Sequence, residues 1–209
     1  MFRNLFNPES SLMVTMSWIT DCIFLSLFWI LGCLPVVTFG GVSAALYDAS
    51  FRAFRKGNKH CWSRFLKVFR ENWKQGIVPG VLYLLAFYAL SRFLIGQWNA
   101  AVYGRISWMV FSAVTFGAVL VLGMMNVMMP ILSRFENDLA GLLRNTVLIA
   151  LANLPGTLGV GMVSAAGVVL CARFVFPVFV LPCLCSLISS LFIEPMFRPY
   201  MTATPEDAA

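Results

Sequence analysis

Between Leu34 and Lys74 the chain carries eight of its fifteen Lys and Arg residues: Arg52, Arg55, Lys56, Lys59, Arg64, Lys67, Arg70 and Lys74. Long apolar stretches with almost no charge lie on both sides of this block. That arrangement restricts the fold severely, because loops rich in Lys and Arg stay on the cytoplasmic side of a bilayer and orient the spans that flank them. Hydrophobic residues make up 60% of the chain and charged residues 11%. A soluble domain would carry about a quarter charged residues, so the pattern reads as a polytopic, all-α membrane helix bundle. The whole chain, residues 1–209, forms one transmembrane domain on this reading.

The formal net charge of +6 does not point to nucleic acid. The basic residues stand beside apolar spans, which is the placement expected for topology and contact with lipid headgroups. The six cysteines, Cys22, Cys33, Cys61, Cys171, Cys183 and Cys185, show no metal-ligand spacing, and buried Cys behaves as a small hydrophobe. No cleavable leader is expected, since the apolar run after Arg3 lacks a small-residue cleavage site.

Five spans are expected, at about 12–37, 76–95, 106–132, 146–172 and 174–193, with the N-terminus outside and the C-terminus inside. Pro35 ends the first, and Thr38-Phe39-Gly40-Gly41 forms a turn. Val42 to Lys56 then forms an amphipathic cytoplasmic helix, stopped by Gly57-Asn58. A second, His60 to Gln75, sets Trp62, Phe65, Phe69 and Trp73 against Arg64, Lys67, Arg70 and Lys74, the signature of a helix lying at a membrane interface. These four aromatics are the candidate contacts for a partner or for lipid. The outer loop covers Gly96 to Arg105, and Pro130 ends the third span. A cytoplasmic segment, 133–145, sets Phe135, Leu139 and Leu142 against Arg134, Glu136 and Asp138. Pro177 and Pro182 predict a kink in span five. The proline spacings of the two halves differ too much for an internal repeat to be read.

The polar positions inside the spans are few. Asp21 is the one acid well within an apolar run, where an unpaired carboxylate is costly, so pairing with Arg92 or Arg173 is expected, the alternatives being a place on a solute or proton path or exposure at the interface. Asn126 and Asn153 read as groups that hydrogen-bond between helices. Ala152/Gly156 and Gly161/Ala165 are small residues four apart, which permits close helix contact. His60 has no acidic partner in view. No nucleophile elbow, phosphate-cradling loop or zinc motif occurs, so neither enzyme activity nor a cofactor is expected.

The segments LPVVTFGGVSAALY, FRAFRKGN and FLKVFRENWKQG, followed later by ANLP (152–155), resemble the YesL family of small bacterial membrane proteins, a family without an assigned activity. That family usually has Gly-Pro where this chain has Gly40-Gly41. The resemblance implies an accessory membrane protein of the bacterial cytoplasmic membrane, since members are commonly encoded beside carbohydrate ABC importers and glycan-degrading enzymes. No EAA-type loop marks this chain as a permease itself. The function expected is therefore a non-catalytic accessory subunit bound to the transmembrane subunits of a carbohydrate ABC importer. The alternative is a small stand-alone solute transporter or channel.

Overall fold

A computed structural model of the protein describes residues 11–55, 61–134, 139–174 and 176–199. The N-terminal lead, Gly57-Asn58, His60, the positions of Phe135, Glu136 and Asp138, and the polar tail lie outside them. The described residues form seven α-helices: α1 (Ser11–Cys33), α2 (Phe39–Arg55), α3 (Cys61–Val102), α4 (Trp108–Arg134), α5 (Leu139–Ala152), α6 (Leu154–Arg173) and α7 (Leu181–Phe197). Short 3-10 turns at Val36–Thr38 and Phe176–Phe179 precede α2 and α7. Three helices, α3, α4 and α6, are long and apolar enough to cross a membrane, with mean hydropathies of 1.7, 2.0 and 1.8.

Pro35 ends α1, as its missing N–H and fixed φ require. The chain then doubles back. Trp29 Nε1 donates to Ser43 Oγ at 3.1 Å, and Trp18 meets Phe54 edge-on with ring centroids 5.9 Å apart. These two contacts, at opposite ends, make α1 and α2 an antiparallel hairpin. The start of α1 therefore lies level with the basic end of α2.

Gly40 and Gly41 do not form a turn. They lie inside α2, and among the described residues the one glycine with positive φ is Gly104, in the turn between α3 and α4. The two glycines are needed for close approach. A methyl group on Gly40 would collide with the Gly76 carbonyl, one on Gly76 with the Gly41 amide nitrogen, and one on Gly80 would stand 2.5 Å from the Gly40 nitrogen. Backbone thus meets backbone where α2 crosses α3, as small residues allow between membrane helices.

The same crossing explains two further departures. Helix α2 is not an interfacial element: Gly40 through Ser50 is buried except for Ser43. Its small residues let neighbours close in on every side, and it contributes to both apolar clusters of the protein, one with α4 to α7 and one with α1, α3 and α7. The expected helices 60–75 and 76–95 are one continuous helix, α3, with the buried Pro79 inside it.

Prolines mark fewer boundaries than their local chemistry predicts. Helix α4 continues through Pro130 to Arg134, and α7 continues through Pro195 to Phe197. The break expected near residue 145 falls instead at Asn153, between α5 and α6, with Pro155 in the first turn of α6. Span five does not kink at Pro182. It begins as a separate 3-10 turn, and Pro182 sits in the first turn of α7, a position that needs no N–H donor. The outer loop is shorter than expected, because α3 extends to Val102.

Candidate functional site

Beneath the α1–α2 hairpin is a cavity of about 420 Å³, reached by every helix except α5. Trp29, Phe39, Tyr83 and Phe87 form one wall, and Pro182, Cys185 and Ser186 of α7 part of another. This volume lies within the range of small-molecule pockets. The polar groups in the wall are largely engaged elsewhere. Trp29 donates to Ser43, Asn126 Nδ2 to the Leu122 carbonyl at 2.8 Å, and Ser164 to the Val160 carbonyl at 2.9 Å. Ser186 shares a 2.8 Å bond with Ser50 of α2. A solute rich in hydroxyls would find few donors and acceptors to replace its water.

Tyr47, which lines the cavity, also belongs to a cluster of three residues that sequence reasoning did not bring together. Tyr47 donates its hydroxyl to Glu194 Oε1 at 3.0 Å. Arg134 Nη2 and Nη1 reach the two oxygens of the same carboxylate at 2.5 and 3.1 Å. Both charged side chains are nearly buried, at 14% and 13% exposure, and the guanidinium lies 4.9 Å from the Phe51 ring centre. A fork-shaped guanidinium on a carboxylate is the strong form of such a contact. It ties α2, α4 and α7 at a single point.

A second buried charge lies farther along α2. Asp48, 2% exposed, accepts from Arg52 Nε at 3.1 Å and from Arg64 Nε at 2.7 Å. Two of the eight basic residues in the block are thus committed inside the fold, joining α2 to α3. The Asp48–Arg52 spacing of four was the available signal.

The candidate residues fall into different places. Asp21 forms no ion pair with Arg92 or Arg173, both exposed; its carboxylate lies beside the Cys61 thiol at the start of α3. Asn126 bonds its own helix and reaches Tyr83 on α3. Asn153 ends α5, with its amide nitrogen and side chain directed to the Ile149 carbonyl. Gly156 packs on Met196, Gly159 on Phe192 and Gly161 on the Val119 backbone. These small residues serve contacts within the chain, so they offer no surface to another protein.

The aromatic stripe divides in two. Phe65 is 3% exposed and packs against Phe28 of α1 at 5.9 Å, with Phe69 half-buried against the same cluster. Trp62 and Trp73 turn outward, 56% and 42% exposed, with Leu66 on the same outer surface. Lys67, Arg70 and Lys74 are interleaved with them and exposed, and the Lys74 ammonium lies 5.7 Å from the Trp73 ring centre.

Residues 22–91 match the family model described as "Protein of unknown function, DUF624". That match spans 70 of 209 residues (91 − 22 + 1 = 70) and runs from α1 through the glycine crossing into the apolar half of α3. No curated protein and no solved structure matches the chain. The matched region contains the second half of α1, all of α2, Asp48 with both its arginines, and the outward face of Trp62 and Trp73.

Proposed function

We propose that this is a non-catalytic accessory protein of the bacterial cytoplasmic membrane, of the YesL type, which binds the transmembrane subunits of a carbohydrate ABC importer and assists its assembly, stability or regulation. The single observation supporting partner binding is the outer surface of the first half of α3. Trp62, Leu66 and Trp73 stay exposed there between three cations, and exposed aromatics with arginine are what protein interfaces use as anchors. The identity of the importer rests on the family resemblance. In this reading the basic ends of α2 and α3 face the cytoplasm and, by the hairpin, so does the start of α1. With α1 and α2 leaving and returning on one side, α1 is not the first of five spans that begin outside; α3, α4 and α6 are the helices long and apolar enough to cross.

Trp62→Ala with Trp73→Ala tests this reading. Recovery of importer subunits with the affinity-purified protein should fall while the amount in the membrane stays constant. Equal recovery would make the surface a lipid contact. If wild-type protein recovers no importer subunit, the accessory reading fails.

A stand-alone transporter is the second reading, and the cavity favours it. Its wall suits an apolar chain better than a sugar, because most of its polar groups already hydrogen-bond within the protein. Liposomes holding the purified protein would show flux of a small apolar solute if the second reading holds, and none if it fails.

A further inference from the structure

From Gly76 to Ile95 the apolar half of α3 contains one charged side chain, Arg92. It lies three residues before the end of the apolar stretch at Ile95 and ten before the end of the helix at Val102, about 4.5 and 15 Å along the axis. Its side chain is exposed, and among the described residues it forms no ion pair. A lone guanidinium facing hydrocarbon is costly unless it finds a partner or reaches water. Reaching the nearer interface is hindered, because helical side chains lean toward their own N-terminus. For α3 that direction leads away from the Trp98 end and deeper along the apolar half.

The surface around Arg92 is organised. Leu85, Tyr88, Arg92, Ile95, Asn99 and Val102 are all exposed and follow one another at steps of three and four, the spacing of a seam for a second helix. Gly96 lies on the same side, and a methyl group there would meet nothing within 4 Å. Three members of this apolar-length surface, Tyr88, Arg92 and Asn99, carry hydrogen-bonding groups that a lipid-facing helix does not need.

We propose that this face of α3 is the docking seam for a transmembrane helix of a different protein, and that the helix carries an Asp or Glu which pairs with Arg92. A second copy of the chain does not fit. Two copies in one orientation would oppose Arg92 to Arg92. Of the described acids, Asp48 and Glu194 are buried in ion pairs, Asp21 lies beside Cys61, and Glu71 is 21 residues away on α3, about 31 Å. The inference rests on the accessory reading in that it specifies the chemistry of the partner.

Photocrosslinking of the full chain in native membranes tests it, with p-benzoylphenylalanine placed at position 88 and, separately, at position 62. The expected adduct from position 88 is one membrane protein, cross-linked in a transmembrane helix within two turns of an Asp or Glu. Arg92→Gln should lower that yield by about tenfold or more, as loss of a charge partner at a desolvated contact does, and Arg92→Lys should retain most of it. Exchanging Arg92 for Glu and the partner's carboxylate for Arg should restore the adduct. Lipid adducts alone, adducts to a second copy, or a yield indifferent to Arg92→Gln would each overturn the inference. An importer subunit captured from position 62 with nothing from position 88 defeats this inference and leaves the accessory reading standing. A carboxylate-bearing partner at position 88 that is not an importer subunit does the reverse.

Discussion

Glu194→Gln isolates the charge at the point where α2, α4 and α7 are tied. The amide keeps nearly the same shape and can still accept from Tyr47, so the change chiefly strands the Arg134 guanidinium. Removing one partner of a buried ion pair costs about 3–5 kcal/mol. The side chains here are 14% and 13% exposed, which favours the lower end, near 3 kcal/mol by the same scale. The Phe51 ring 4.9 Å away offsets part of this, since a cation over an aromatic face is stabilised by about 0.5–1 kcal/mol. A net loss of about 2–2.5 kcal/mol corresponds to a fall of about 4–10 °C in Tm for a chain of this length. Thermal denaturation in detergent micelles, followed by survival of the monodisperse protein, measures it. Arg134→Met combined with Glu194→Gln should regain most of the loss, because an apolar replacement of both charges is close to neutral. An unchanged Tm in the single variant would refute the reasoning, and so would a double variant whose loss equals the sum of the two singles.

Other positions give sharper contrasts. Gly40→Ala and Gly80→Ala should each lower Tm or abolish expression, since the clash is with backbone that cannot move aside, whereas Gly96→Ala should be neutral or stabilise slightly through helix propensity. Phe65→Ala should cost about 3–5 kcal/mol in the same melting assay while Trp62→Ala costs little; equal effects would contradict the split of the stripe. Impermeant thiol labelling on a Cys-free background should find Ser11→Cys and Arg55→Cys protected together in intact cells, with Asn99→Cys labelled. Labelling of position 11 alone would break the antiparallel hairpin as a description of the protein in its membrane.

Helix content, the apolar character of α3, α4 and α6, and the end of α1 at Pro35 were legible in the sequence because each follows from local rules. The interior was not, for an equally physical reason. Gly40-Gly41 is a turn signal by its neighbours in sequence, and only a helix 36 residues later, presenting Gly76 and Gly80, converts it into a crossing. The aromatic periodicity from Trp62 to Trp73 marks one side of a helix. A helix with α1 and α2 against it buries part of such a stripe and leaves the rest outside, so Phe65 and Trp62 part company. Arg134 and Glu194 are sixty residues apart, each at the end of an apolar run, and nothing in either neighbourhood names the other. Asp48 with Arg52 was visible as a pair; its burial under Arg64 was not.

The continuity of α3 through Pro79 has a mechanical meaning. Its 42 residues make a rod of about 63 Å, roughly twice the hydrocarbon thickness of a bilayer. The rod is gripped near its middle, where Gly76 and Gly80 touch Gly40 and Gly41. With that grip as a fulcrum, the arm toward Cys61 is about 26 Å and the arm toward Val102 about 36 Å. The shorter arm is held again, to α2 by Arg64–Asp48 and to α1 by Phe65–Phe28, so a tilt of the longer arm must carry the α1–α2 hairpin with it. Trp62 on the short arm and Arg92 on the long arm move as parts of one lever.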